Sequence, residues 1–284
     1  MGQVSWIFAA GAFTLASCGA EQAPSGSAAG SVPQGAKGTE ASTGDLFTDA
    51  PQISVVNGEQ AATIDISLPA NIADLPAPLA EEIRERANRG TEDFVSAAEA
   101  DKAEAAREGF EFRPHSLDVN WVEVGPETGR LAGYLGTYST YTGGAHPNVG
   151  FDMLNWDREA ETALVFEDFF KDVDAARNLM TDALKVELLK VKRERLESTG
   201  LSDDELMKSW VNPAFEGNDA VFEGFTIARS SEEGKAGGFV YHFAPYEVGA
   251  YAEGVYEVAV SHEAFASALK PAYKEAFAGA PFKP

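Results

Sequence analysis

The chain has 284 residues and a formal net charge of −23, from 45 acidic and 22 basic side chains. Its apolar and aromatic residues, 44% and 11% of the total, are enough for one substantial core or two modest ones. A negative field of that size repels phosphates, so no nucleic acid is expected as a partner. The same field attracts cationic partners, although it also serves to keep a protein soluble.

One cysteine, Cys18, excludes an internal disulfide framework and a cysteine-rich zinc site. It follows an apolar run, Val4–Ala16, which is shorter than the ~20 residues of a membrane span and suits a secretory signal. Leu15-Ala16-Ser17-Cys18-Gly19 resembles the lipobox of bacterial lipoproteins, in which the signal is cut before a lipidated cysteine. We therefore predict a signal peptide at residues 1–17 and lipidation of Cys18, although no Lys or Arg precedes the apolar run.

Residues 18–45 are dominated by Ala, Ser, Gly, Pro and Thr with few apolar anchors, which predicts a flexible tether behind the lipidated cysteine. The predicted location is the cell envelope, with the membrane as a partner through the lipid anchor at Cys18 and the domain facing the periplasm. Gly19 directly after the cysteine favours the outer membrane if the organism is Gram-negative.

The first half of the globular part alternates strand and helix signals. Pro51–Pro69 alternates apolar and polar residues around an Asn-Gly turn, which predicts a hairpin or a bent strand. Asn71–Arg107 has a helical composition that Gly90 interrupts. The next three segments predict an antiparallel meander: residues 117–121, Leu131–Tyr141 and Val149–Trp156.

In the second half, Asp172 is predicted to cap a helix over Val173–Glu197. Its basic residues alternate with glutamates, which we interpret as a solvated, salt-bridged face: Lys185, Lys190, Lys192, Arg193 and Arg195. Further strands are predicted at Ala220–Ile227, Gly238–Phe243 and Val255–Val260, and helices at Glu263–Leu269 and Ala272–Ala278. The predicted fold class is α+β, with antiparallel sheets, helices packed on one face, and two small α+β subdomains.

Few chemical motifs are present. The sequence has no phosphate-binding loop, no dinucleotide fingerprint and no metalloprotease helix, and its four histidines are dispersed, so no metal and no cofactor are predicted. The exception is Gly143-Gly144-Ala145-His146-Pro147, where glycines permit a positive φ and Pro147 holds His146 extended. This segment is either a tight turn between strands or a recognition loop in which Tyr138, Tyr141 and His146 form a contact surface.

The segment Tyr141–Pro147, followed by Asn155, Asp157 and Leu164–Phe170, resembles the core of the RsiV-like family, the DUF3298 domain. A second signature of that domain is Pro245-Tyr246-x-x-Gly249-x-Tyr251-x-x-Gly254, within Phe243–Gly254. Ile53 to about Trp121 is similar in layout to the companion DUF4163 (PdaC-like) domain. The predicted domains are accordingly a DUF4163-like region at residues 46–125 and a DUF3298 domain at residues 126–284.

This resemblance implies an extracytoplasmic module of mostly unknown role. One branch of the family is an anti-sigma factor that binds lysozyme, and another precedes a peptidoglycan deacetylase domain. Neither signalling nor deacetylation is expected here, because the apolar run ends in a lipobox and no deacetylase segment follows the two regions.

Two functional hypotheses follow, from different classes. The first, which involves no catalysis, is an envelope binding module for a cell-wall glycan or a cationic protein such as lysozyme, with these contacts: Tyr138, Tyr141, Gly143, Gly144, His146, Pro147, Tyr246 and Tyr251. The second is an enzyme for peptidoglycan-type substrates, with His146 as general base oriented by Asp152, Asp157 or Glu247. A purely structural envelope protein is the third alternative. Proximity of His146 to Tyr246 is the observation on which a binding site depends.

Overall fold

The structure, a computed structural model, describes residues 52–56, 59–196 and 200–282. These residues all belong to one compact unit. The predicted signal peptide, Cys18 and the tether lie outside the described residues. Across the described ranges, no helix is both long and apolar enough to cross a bilayer.

Six strands form the first sheet, and they neighbour each other in chain order. They are β1 (Gln52–Val56), β2 (Glu59–Ser67), β3 (His115–Glu123), β4 (Leu131–Tyr141), β5 (Asn148–Asp157) and β6 (Thr162–Leu164). Four of the five pairings are antiparallel, among them the predicted meander of β3, β4 and β5, and the exception is the parallel pair β2–β3. That pair is parallel because two helices intervene and return the chain to its starting end.

Those helices are α1 (Ala77–Asn88) and α2 (Thr91–Glu108), and they pack on one face of the first sheet. Gly90 lies between them with a φ of +78°, which confirms the predicted interruption. Beneath them, the Trp121 ring lies so close to Gly136 that a Cβ there would come 2.4 Å from it. The side chains at this interface form one apolar core: Ile64, Leu79, Ile83, Leu117, Val119, Trp121, Tyr134, Leu154 and Trp156.

The second sheet is antiparallel, in the order β7 (Phe225–Arg229), β8 (Ala236–Phe243), β9 (Tyr256–Ser261). Around it lie α3 (Phe166–Phe169), α4 (Val173–Arg195), α5 (Asp203–Leu206), α6 (Asn212–Phe215) and α7 (Pro271–Lys274). The Asp172 carboxylate accepts from the Ala175 amide at 3.0 Å, which confirms the predicted N-cap. The core here is rich in phenylalanine: Phe166, Phe169, Phe170, Phe225, Phe239, Phe265 and Phe277.

Asn155 joins the two sheets. Its buried amide donates to the Phe225 carbonyl at 2.9 Å and accepts from the Ile227 amide at 2.8 Å, so it binds the outer edge of β7. Gly133 on β4 permits this approach, because a Cβ there would lie 3.0 Å from the Ile227 carbonyl. The predicted boundary at residues 125/126 falls in the connection between β3 and β4, which pair in one sheet.

Several element predictions are wrong. No element was predicted at Thr162–Leu164, which forms β6. Asp219–Glu223 is a 3-10 turn and not the start of a strand. The predicted C-terminal helices reduce to α7 and short turns, because Leu269 and Phe277 make β-bridges to the rest of the domain.

Candidate functional site

The first loop, residues 142–147, connects β4 to β5 and carries the Gly-Gly-Ala-His-Pro motif. Gly143 has a φ of +85°, a conformation that side-chain-bearing residues rarely adopt. His146 is half-buried, and its Nδ1 atom lies 3.1 Å from the carbonyl oxygen of Pro147. The turn therefore holds the imidazole close to its own backbone.

The second loop, Ala244–Gly254, connects β8 to β9 and carries the second signature. Tyr246 has a φ of +77° and is 62% exposed to solvent. A bulky residue in this region costs on the order of 1–3 kcal/mol and persists where the surroundings hold it in place. Tyr251 begins a short 3-10 turn that ends at Glu253.

These two loops touch each other through aromatic rings. His146 and Tyr251 are stacked, with ring centroids 3.6 Å apart and planes inclined by 21°. The Tyr251 hydroxyl donates to the Pro147 carbonyl at 2.8 Å, and the Tyr246 ring lies 5.6 Å from the Tyr251 ring. We call His146, Tyr246 and Tyr251 the aromatic patch.

The register of β5 explains why the loops meet. Alternate residues on one face of this strand lie along the second half of the domain. The Phe151 ring lies 5.8 Å from the His242 ring, and Asn155 binds β7. The Met153 side chain lies where a Cβ at Gly224 would be 3.5 Å from it. His146 and Pro147 continue this line of contacts beyond the end of the strand.

Not every predicted site residue joins the patch. Tyr138 points to the helix-covered face, where its hydroxyl donates to the Arg86 carbonyl at 2.8 Å and burial raises its pKa to about 12. Tyr141 hydrogen-bonds with Arg113, which raises the pKa of that guanidinium. Of the predicted contacts, the structure thus brings together His146, Pro147, Tyr246 and Tyr251.

The carboxylates proposed to orient His146 are engaged elsewhere. Asp152 pairs with Arg86 at 2.7 Å on the helix-covered face. Asp157 is fully buried at the far end of β5 and accepts from Arg130 at 2.7 Å. Glu247 accepts from the Ala244 amide at 2.7 Å. Among the described residues, no group of three or more His, Cys, Asp or Glu could hold a metal ion.

A shallow depression of about 230 Å³ lies on the Gly143 side of the first loop. Asp101, Arg113, His115 and Thr142 line it together with Gly143. His115 is buried between two phenylalanine rings, and burial lowers its pKa against the opposing effect of Asp101. The neutral imidazole is therefore favoured in the folded protein.

Lys192 was missed by the sequence reasoning, and its interpretation as part of a solvated face is wrong. The residue is 0% exposed, and its Nζ atom donates to the Val248 carbonyl and to the Glu253 carboxylate, each at 2.7 Å. One signal for it was present, because Met180, Leu184 and Leu188 recur every fourth residue and position 192 continues that buried stripe.

Comparison with known proteins assigns both loops to family regions. Residues 55–149 match the family model described as Deacetylase PdaC, and residues 167–263 match the model described as Protein of unknown function (DUF3298). The first loop falls within the PdaC match and the second within the DUF3298 match. The aromatic patch therefore spans the two matched regions.

Two solved structures are similar to this chain. A DUF3298 family member from Bacteroides fragilis NCTC 9343 aligns with a TM-score of 0.53 and 18% identity, covering 79% of this chain and 92% of that one. A DUF3298 family protein from Pseudomonas aeruginosa PAO1 aligns with a TM-score of 0.47 and 16% identity, covering 82% and 96%. No curated protein matches the sequence. The chain thus contains a region that matches the DUF3298 model, preceded by a region that matches the PdaC model.

Proposed function

We propose that this chain is a binding module of the bacterial cell envelope, and that its aromatic patch recognises a cationic protein such as lysozyme. The observation that carries the proposal is the stack of His146 on Tyr251. It joins one signature from each family region into a single surface, next to the exposed ring of Tyr246. Exposed aromatic anchors are the usual centres of binding energy in protein interfaces.

Charge supports a cationic ligand. The net charge of −23 steers positively charged proteins toward the chain and raises their association rate at low salt. Tyrosine faces also attract Lys and Arg side chains directly through the ring quadrupole. The lipobox-like sequence at Cys18 supports a position at the envelope, where such proteins would be met.

A cell-wall glycan is the second candidate ligand. The flat exposed ring of Tyr246 and the exposed backbone at Gly144 favour it, since rings supply contact area and backbone amides supply hydrogen bonds. Catalysis has less support from the geometry, because Asp152 and Asp157 are held by arginines and do not orient His146.

The test measures binding of the purified protein to lysozyme and to purified peptidoglycan at low and high salt. Cytochrome c serves as a basic protein that controls for charge alone. Tyr246→Ala should weaken lysozyme binding by about tenfold or more, as expected for an interface anchor. Phe282→Ala is the matched control, since this aromatic residue is 59% exposed beside β7.

Lysozyme binding that exceeds cytochrome c binding and depends on Tyr246 supports the proposal. Binding to peptidoglycan but not to lysozyme, if it depends on Tyr246, replaces this proposal with the hypothesis of a glycan ligand. Absence of binding to either at low salt overturns both.

A further inference from the structure

The second loop surrounds a buried positive charge. Lys192, near the end of α4, is 0% exposed, and removing an ammonium ion from water has a large free-energy cost unless it is paired and hydrogen-bonded. Its three hydrogen-bond acceptors are the Val248 carbonyl at 2.7 Å, the Glu253 carboxylate at 2.7 Å and the Tyr256 hydroxyl at 3.3 Å. All three belong to the second loop or to the start of β9.

Aromatic rings enclose the same ammonium. Nζ lies 4.6 Å from the centroid of the Tyr256 ring and 5.3 Å from that of Trp210. Trp210 lies in a π-helical turn, Met207–Val211, that immediately precedes α6. Ring faces attract cations most strongly where water is excluded. Polar acceptors and aromatic rings from several elements therefore surround the Lys192 ammonium.

Glu253 links the Lys192 ammonium to the rest of the second loop. One of its oxygens binds Lys192, and the other accepts from the Ala250 amide at 2.8 Å. Burial opposes ionisation, but the hydrogen bonds from Lys192 and Tyr256 outweigh it and lower the pKa of Glu253. Gly249 leaves room for the Glu253 carboxylate, since a Cβ at this position would lie only 2.6 Å from a Glu253 oxygen.

Tyr251 lies between Val248 and Glu253, the two residues of the second loop that bind Lys192. Its ring stacks on His146, and its neighbour in the patch, Tyr246, has a strained positive φ that the loop must maintain. The loop lacks an apolar core of its own apart from the buried Val248. Its conformation therefore depends on polar contacts beneath it.

We propose that Lys192 is a positioning residue, whose buried ammonium fixes the second loop and thereby holds Tyr251 against His146. Its significance for ligand recognition rests on the proposed function of the patch. The positioning itself is a property of the free protein and is measurable without any ligand.

Three variants test this. Lys192→Met removes the charge and keeps an apolar side chain of similar length on the buried stripe. Gly249→Ala pushes the Glu253 carboxylate away from Lys192 and alters neither charge. Lys190→Met is the matched control, since that lysine is on the same helix, has a 47% exposed side chain, and pairs with Glu187 at the surface.

The first readout is the ring proton resonances of His146, which the stacked Tyr251 ring displaces and which a His146→Gln variant assigns. Both Lys192→Met and Gly249→Ala should move them toward the values of an exposed histidine. The second readout is amide hydrogen exchange of residues 248–256, which should become about tenfold faster or more as the local opening free energy falls. Lys190→Met should match the wild type in both measurements.

A folded Lys192→Met protein with wild-type His146 resonances would overturn the proposal. If Lys192→Met does not fold, Gly249→Ala decides in the same way. Lysozyme and peptidoglycan binding by the same variants separates the two claims. Loss of the stack with unchanged binding refutes the proposed function and leaves the positioning role intact, whereas an intact stack refutes the positioning role whatever the binding result.

Discussion

Replacing Asn155 with alanine should separate the edge of β7 from the face of the first sheet. The wild-type amide is buried and bridges the Phe225 carbonyl and the Ile227 amide at 2.9 and 2.8 Å. Truncation leaves one backbone acceptor and one backbone donor buried without this partner, and each such group costs roughly 1–3 kcal/mol. The expected loss in the free energy of unfolding is therefore about 2–6 kcal/mol.

Urea unfolding, followed by tryptophan fluorescence and far-UV circular dichroism, measures this loss. Asn120→Ala is the control, because Asn120 is exposed on β3 of the same sheet, and surface substitutions usually change stability by less than about 0.5 kcal/mol. The reasoning that this amide joins the sheets would be refuted by a loss below about 1 kcal/mol for Asn155→Ala. In that case the slope of the unfolding free energy against urea concentration must match that of the wild type.

Three further predictions concern packing, protonation and location. Gly136→Ala should cost about 1–3 kcal/mol, because its Cβ would overlap the Trp121 ring. Gly150→Ala, whose Cβ meets nothing within 4 Å, should change stability far less in the same urea assay. His115 should titrate by NMR below its ordinary pKa of 6.5. The unfolded chain then binds more protons, so stability falls as pH decreases through 6.5 toward the lower folded-state pKa; a midpoint at or above 6.5 contradicts the burial argument. Cys18→Ala should move the protein from the membrane fraction to the soluble fraction of cells, and retention at the membrane would refute lipid anchoring.

The strands of the first sheet were predicted well from the sequence, because turn residues mark where they begin and end. β4 has the predicted limits, Leu131–Tyr141, since Gly129 and the Gly-Gly pair stop the alternating pattern at each end. Gly90 likewise separated α1 from α2. Local pattern was sufficient wherever glycine or proline determined where an element ends.

The C-terminal region was not predictable in the same way. Helical spacing of Phe265 and Leu269 is real, but both side chains are buried in the phenylalanine-rich core from turns and bridges. Tertiary burial overrode local propensity there. β6 is three residues long and gave no periodic signal.

The aromatic patch was partly visible in sequence. His146 and Tyr251 were both selected from their motifs, whereas their stacking depends on which face of β5 meets the second half of the domain. Tyr138 was grouped with His146 by nearness in sequence, although its place in the β4 register turns it toward α1. Lys192 was hidden because a lysine among other basic residues is usually solvated.

The central claim is that the joined loops form the ligand-binding surface. An NMR titration of the purified protein with lysozyme, observing the four histidine rings, tests it most directly. We predict saturable shifts at His146, which belongs to the patch, and unchanged resonances for His115 and His242, which are buried. Saturable binding that leaves the His146 resonances unchanged would contradict the claim.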